Sequence, residues 1–586
     1  MSPISTSIPA RSTFAITLLA VFLCLWGQFN KDVWTPDEPR VVAIADEMAI
    51  TGDIIIPHLA GQPFVEKPPL YFALAAGAIK LMPMLSSISA VRTFNILLAL
   101  LTLYFTYLLG RDLLDKTSGM LAVIVLGSML GFVVNSHWCR VDNLLIVTLL
   151  ASVWSLYRGI TKHQLRYLLW AGVWAGLSFL TKGLIGVIML GGCWLGLMTA
   201  RYLRLRYIQH NPETSDERFP TFNTLFMWHA MALLIFLLIS GSWVTLFWLQ
   251  GTTDTWNQWF WINNIGRFTG TTTGLGHLHP GQPLFYIKAL AEYSLPWLPL
   301  ILTWLGSLIS RWRRSETIPL AELFILFSLL INMLVLSAAD TKRSLYLFVL
   351  LPFWAIAITY AIRQLQQRWF LYYQRFWLGL CVLLITAIFT TPLYISHFAN
   401  KIPQLVVNHL SHFGLMHIVL ATFLLTLLVW YRTQEKNLLT ALSISTIMLF
   451  VSLLGLLNRP IDLIKSMSAE TTAFVEQIPV NKRAHIVGID LNETTRSIFY
   501  LYSHWSVRNV TDLAFALAIL QGQDKNTSSV IIDQNSLLAQ LKLQLAKRSM
   551  QVKILAIGNP RSGKNRSSIY WLTAIPQYKV SANANR

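Results

Sequence analysis

The sequence is short of charge. Only 27 of its 586 residues are Asp or Glu, and charged residues of both signs make up 12% of the chain, where a soluble protein carries roughly a quarter. That shortage, beside 54% hydrophobic residues, excludes an ordinary cytoplasmic enzyme. Cysteine is also scarce. Cys24, Cys139, Cys193 and Cys381 form no CxxC pair and no disulfide framework, and they read as small apolar packing residues. Internal repeats and long low-complexity segments are missing, as are the short alternating segments of a β-barrel.

What the chain has is long apolar runs. They lie near 12–30, 91–110, 118–135, 143–159, 167–181, 184–200, 224–248, 288–310, 319–338, 344–362, 375–396, 413–431 and 438–457, which at roughly 20 residues per crossing makes about thirteen spans. The 22 Trp suit membrane interfaces. Arg11 ahead of the apolar run Phe14–Trp26 resembles a signal peptide, but no small-x-small cleavage site follows, so the run reads as a retained first helix. The run 69–85 is short, contains Lys80 and ends at Pro83, and is read as interfacial or re-entrant.

The net charge of +19 does not point to nucleic acid, because its cations sit in short loops. With 69–85 not crossing, one side receives Arg111/Lys116, Arg158/Lys162/Arg166, Arg201/Arg204/Arg206, Arg311/Arg313/Arg314, Arg363/Arg368 and Arg432/Lys436. The positive-inside rule makes that side the cytoplasm. Loops 31–90, 136–142, 249–287 and 339–343 then share the outer face. After residue 458 the chain turns polar, with candidate strands His485–Asp490, Ser529–Asp533, Val552–Gly558 and Ser568–Ala574 and candidate helices Thr494–His504, Thr511–Leu520 and Ser536–Lys547. The expected fold is an α-helical polytopic membrane protein, with a transmembrane domain over 1–458 and a small α/β domain over 459–586 outside the cytoplasm.

Six of the 27 carboxylates fall between Trp34 and Tyr71: Asp37, Glu38, Asp46, Glu47, Asp53 and Glu66. Charge beside a bilayer is costly and is usually retained for a task. In Asp37-Glu38-Pro39-Arg40, a carboxylate can take a proton from an acceptor or orient it; the plainer reading is a helix start with an acidic first turn. In Glu66-Lys67-Pro68-Pro69-Leu70-Tyr71, the prolines hold Glu66 and Lys67 outside a regular helix, and a fixed Lys at a membrane surface suits a lipid phosphate; a solvated ion pair would look the same. Arg140-Val141-Asp142, the aromatic run Trp259–Ile262 before Asn263-Asn264 and Arg267, and Asp340-Thr341-Lys342-Arg343 with Tyr346 complete the outer-face set. Each alone fits an interfacial anchor. Together, carboxylates and cations on one face suit transfer of a group from a lipid phosphate. Gly558–Asn565 nearly matches a P-loop but lacks the final Ser/Thr and precedes a strand-like run, so it reads as a turn. His277 and His279 are weak as metal ligands.

In this order, DE, TGD (Thr51-Gly52-Asp53), EKPPLY, R-x-D, TKG (Thr181-Lys182-Gly183), R-F and K-R with Tyr346, the motifs resemble the aminoarabinose lipid A transferases, which belong with the protein mannosyltransferase-like, GT-C type glycosyltransferases. The resemblance runs from about residue 30 to 355. It implies transfer of a sugar from undecaprenyl phosphate to lipid A at the outer face of a bacterial inner membrane. It implies Asp37, Glu66 and Asp142 as catalytic carboxylates, and Lys67, Arg267, Lys342, Arg343 and Tyr346 as donor-phosphate ligands. Where the family has Glu-His before the Arg, this chain has Asn263-Asn264, so neither a metal nor another cofactor is expected and the sugar is left open. A flippase for a lipid-linked sugar, or a transferase acting on a protein or other glycan, are the alternatives.

Overall fold

A computed structural model gives the fold. It describes residues 18–576 apart from 19–20, 30, 211–221, 267–268, 270–281, 283, 340–341, 365–366, 399, 401–403, all of 412–437 except 414, 417 and 422, and 523–528, 563–564 and 567. Among the described residues, 7 helices are long and apolar enough to cross a membrane, or up to 9 if two bent pairs each count as one span. The expected run 413–431 lies largely outside the described residues, as do residues 12–17, 19–20 and 30 of run 12–30. Helix Phe222–Gln250 shows the lipid-facing pattern: Phe226, Leu233, Leu234, Leu237, Leu238 and Leu249 are all exposed, as suits a helix solvated by hydrocarbon rather than water.

Two runs expected as single spans are broken. The first is bent by 68° between Lys116–Gly127 and Leu130–Ser136, the second by 117° between Phe285–Tyr293 and Leu298–Arg313. Ser128 Oγ donates to Ile124 O at 2.6 Å, a side-chain bond that competes with the helix ladder. Pro296 has no N–H to continue the second helix. The breaks then dock on each other: Leu130 N donates to Leu295 O at 2.9 Å and Trp297 Nε1 to Ser128 Oγ at 3.1 Å. Backbone freed inside a membrane protein has to find such partners. Run 69–85 forms the 12-residue helix Leu70–Leu81, about 18 Å long at 1.5 Å per residue and too short to span.

Residues 486–576 form a five-stranded sheet. In spatial order its strands are Arg508–Val510, Ile486–Ile489, Ser529–Ile532, Ile569–Pro576 and Met550–Gly558. The first three are mutually parallel, and the last two join antiparallel. Helices Glu493–Ser503, Leu513–Leu520 and Asn535–Ala546 connect the strands. Alternate residues feed two cores: Ile486 and Ile531 meet Phe474 and Phe499, while Val487, Ile489, Val530 and Ile532 meet Leu517 and Leu541. A sheet covered on both faces reads as continuous apolar strands for this reason. The near-P-loop lies in the connection between the antiparallel strands Met550–Gly558 and Ile569–Pro576.

The early loop is pinned to this later chain. Asp32 accepts hydrogen bonds from Ser466, Ser468 and Tyr502, and Trp34 Nε1 donates to Asp462 Oδ1 at 2.6 Å.

Candidate functional site

Helix Asp37–Thr51 begins after Pro36 with Asp37 in its first turn, and ends at Gly52 in the left-handed region, the usual cap for such a terminus. Asp37 makes no capping hydrogen bond. Instead Arg40 Nη2 donates to its Oδ1 and Arg140 Nε to its Oδ2, each at 3.0 Å. Its neighbour Glu38 is fully buried and structural. It pairs with Lys31 at 3.1 Å and Arg92 at 3.6 Å, and accepts from the N–H groups of Trp34 and Cys139. Glu38 thereby fixes the loop carrying Arg140 against the start of the Asp37 helix. In the TGD turn, Asp53 Oδ1 accepts from Ile55 and Ile56 N at 3.0 and 3.1 Å.

Pro68 and Pro69 hold Glu66 and Lys67 just ahead of helix Leu70–Leu81. Arg40 Nη1 reaches Glu66 Oε2 at 3.3 Å, and Lys67 Nζ lies 4.0 Å from Glu66 Oε1. Asp142 opens helix Asp142–Thr161, but it pairs with Lys182, the last residue of helix Leu165–Lys182, rather than with Arg140. Lys182 also lies 4.9 Å from the centre of the Tyr346 ring. Gly183 follows with φ +69°, and a Cβ there would stand 2.9 Å from Asn264 Oδ1. Glycine thus lets the Lys182 turn approach the π-helical segment Asn257–Gly266.

These side chains line one chamber: the carboxylates Asp37, Glu66 and Asp142 with the cations Arg40, Lys67, Arg140, Lys182 and Arg343, beside Tyr346. Burial would raise the Asp37 carboxyl, but Arg140, Arg40, Lys67 and Arg343 together outweigh it and hold it down at about 2. Burial lowers the pKa of the Lys67 ammonium; Glu66 opposes this, while Arg40 and Lys182 add to it. An arriving anion would relieve that crowding of cations.

Two cavities adjoin the chamber. One, of about 270 Å³, shares Glu66, Lys67, Lys182 and Tyr346 with it and continues along Leu184, Ile185, Ile188, Val335 and Leu336, with Asn263 and Asn264 on its wall. Its charged end and apolar wall match a phosphate on a hydrocarbon tail. The other, of about 400 Å³, shares Asp37, Arg140 and Arg343 and adds Lys342 and Lys465. There Arg140 and Lys465 both lie against Trp138, at 4.1 and 4.4 Å from the ring centre. Lys342 is buried and its Nζ donates to Ala339 O at 2.8 Å; it lines the second cavity and not the first. Arg267 lies outside the described residues, as do His277 and His279. Arg40, Arg140 and Lys182 join the candidate set here. All three stand in motifs visible in the sequence, whereas Lys465 carries no local signal.

Comparison with known proteins follows the same lines. Residues 66–209 match the family model described as dolichyl-phosphate-mannose-protein mannosyltransferase. The undecaprenyl phosphate-alpha-4-amino-4-deoxy-L-arabinose arabinosyl transferase 2 of Proteus mirabilis (strain HI4320) is 27% identical over 354 residues, covering 58% of each chain. The corresponding transferase of Serratia proteamaculans (strain 568) is 26% identical, covering 58% of this chain and 57% of its own. The chain therefore spans under two thirds of the length of these curated relatives. In fold, the crystal structure of ArnT from Cupriavidus metallidurans bound to undecaprenyl phosphate superposes with a TM-score of 0.66 at 15% identity, covering 95% of this chain and 97% of that one. The resemblance to the GT-C type, polyprenyl-phosphate-dependent transferases thus holds in matched sequence and in fold.

Proposed function

We propose that this protein is a membrane glycosyltransferase that moves a sugar from undecaprenyl phosphate to a lipid A-type acceptor at the outer face of a bacterial inner membrane. The observation that carries the reading is the chamber itself, where three carboxylates and five cations meet at the mouth of an apolar-walled cavity. The relatives named for undecaprenyl phosphate-linked aminoarabinose support the donor class. The charged side chains lie in loops or at helix ends, as with Asp142 and Lys182, not midway along a span as a transport path would need. The layout proposed is thirteen crossings, N-terminus inside, with the sheet of residues 486–576 outside.

In this reading the donor's prenyl chain lies along Leu184, Ile188 and Leu336, and its phosphate meets Lys67, Lys182 and Tyr346, with Arg267 as a further ligand. The acceptor enters by the cavity of Arg140, Lys342, Arg343 and Lys465. An acceptor oxygen bonds to the anomeric carbon as the bond from that carbon to the phosphate oxygen breaks. Undecaprenyl phosphate leaves with the electron pair, its new charge stabilised by the cations already in place. Asp37, held at about 2, is a weak base, since a base works best with a pKa near the working pH. It suits orienting an acceptor that is already ionised, such as a phosphate, so no proton has to move. A hydroxyl acceptor would have to give its proton to Asp37. Glu66 and Asp142 keep Arg40, Lys67 and Lys182 in position. The reaction uses no nucleotide.

The test is purified protein with undecaprenyl phosphate sugars and a panel of lipid A acceptors, read by mass spectrometry. A sugar-sized gain on lipid A that disappears in Asp37→Ala is expected. Transfer at the wild-type rate in Asp37→Ala would refute the catalytic assignment, and no gain from any donor would refute the acceptor.

A further inference from the structure

Arg40 is bound by a third carboxylate that the active-site motifs do not contain. Besides Asp37 and Glu66, its Nη1 donates to Glu493, at the start of helix Glu493–Ser503 in the sheet-bearing part of the chain. The turn presenting Glu493 is firmly built. Asn492 caps the helix by accepting from Thr495 N at 2.8 Å, while Asn492 N and Thr495 Oγ1 both donate to the buried Asp533, at 3.0 and 2.8 Å. The same helix packs against helix Asp37–Thr51. Arg496 Nη1 donates to Gln62 Oε1 at 2.5 Å, and Gln62 Nε2 donates to Asn509 O at 2.7 Å. Glu493 is therefore delivered to Arg40 from a fixed support.

We infer that Glu493 is a positioning residue for the transfer reaction: it shares the Nη1 of Arg40 with Glu66, so that the sheet-bearing region sets the geometry of the reaction chamber. Arg40 has two forks and three carboxylates. Its Nη2 serves Asp37, and its Nη1 is shared by Glu66 and Glu493. Without Glu493, Nη1 closes on Glu66 alone, and the guanidinium settles deeper between the two carboxylates that face the substrates. The Glu493 side chain is 39% exposed, and an ion pair that open to solvent contributes little to stability. Its effect falls on placement rather than on folding. Arg40 lines the reaction chamber but not the apolar-walled donor cavity, so the loss belongs to turnover, not to donor affinity.

This inference rests on the glycosyltransferase reading. The experiment is a double-mutant cycle on the full-length protein, comparing Glu493→Gln, Arg40→Gln and the pair, with Glu493→Asp as the conservative variant. The donor is an undecaprenyl phosphate sugar that the wild type transfers, and rates are normalised to the undecaprenyl phosphate-binding fraction so that unfolded protein does not count. Misplacing a group in the chamber should lower kcat in Glu493→Gln by about tenfold to hundredfold, with donor KM within about twofold. Glu493→Asp should recover part of the rate. The double variant should be no slower than Arg40→Gln alone, since the two act as a unit. An unchanged kcat in Glu493→Gln, or losses that multiply in the double variant, would overturn it. A wild type inactive with every donor would remove the glycosyltransferase reading itself, and this inference with it.

Discussion

Replacing Lys182 with Met separates two roles that one ammonium holds in this structure. It is the ion-pair partner of Asp142, whose side chain is only 5% exposed, and it stands at the polar mouth of the donor cavity. Removing it leaves a buried carboxylate without the ion pair it has here, which costs about 3–5 kcal/mol of stability. It also removes the proposed charge-assisted contact to the donor phosphate, worth about 1.5–3 kcal/mol or roughly 10- to 150-fold in Kd. The second change Asp142→Asn takes away the stranded charge. Lys182→Met should melt earlier than wild type, and Lys182→Met/Asp142→Asn should regain most of that loss. Undecaprenyl phosphate affinity should fall in both and recover in neither. Thermal denaturation in detergent beside a direct undecaprenyl phosphate binding titration reads the two quantities separately. If affinity returned along with stability, Lys182 would be a structural counter-ion only, and the phosphate would have to be placed elsewhere.

Asp37→Asn should keep the fold and lower transfer by about 100-fold, the cost of a misoriented acceptor; a loss below tenfold in the mass-spectrometric assay would move the catalytic role to Glu66 or Asp142. Because the folded value of Asp37, about 2, lies below its usual 3.8, its contribution to stability is present above pH 3.8 and is lost as pH falls through 2. Transfer should therefore be flat in mildly acidic buffer as far as this group is concerned, whereas Arg140→Met, which removes the leading cation, should bring in an acid limb at higher pH; identical pH–rate profiles would refute the electrostatic account. Gly183→Ala should cost about 1–2 kcal/mol from the left-handed backbone alone and weaken undecaprenyl phosphate binding by displacing Asn264; unaltered affinity would mean that the π-helical wall does not shape the donor cavity.

Much of the site was legible because its residues sit in short motifs whose local chemistry is one-dimensional. Glu66 and Lys67 are marked by the two prolines after them, and Lys182 by the glycine that ends its helix. The partners were not legible. Arg140 and Asp142, two residues apart, fitted a plain interfacial anchor, yet the structure sends Arg140 to Asp37 and Asp142 to Lys182, since a helix start points successive side chains apart. Lys465 and Glu493 are more than 400 residues along the chain from Asp37, in stretches with no motif. In the fold, candidate strands and helices after residue 484 fall within two residues of observed ones, because apolar runs punctuated by polar turns mark both. Strand Arg508–Val510 was missed, being three residues with two polar. The bent pairs were read as single spans because hydropathy averages over a break at Ser128 or Pro296 that leaves composition unchanged.

The anchoring of Asp32 has a consequence for biosynthesis. A membrane chain is made and inserted from its N-terminus, so the loop of Asp32 to Asp37 emerges early. Yet the groups that hold Asp32, namely Ser466, Ser468 and Tyr502, are translated hundreds of residues later. Until they arrive the loop is held only by its early contacts, those of Glu38 with Lys31 and Arg92 among them, and lacks the anchors of Asp32. The final anchoring of the loop ahead of Asp37 is thereby tied to synthesis of the chain as far as Tyr502.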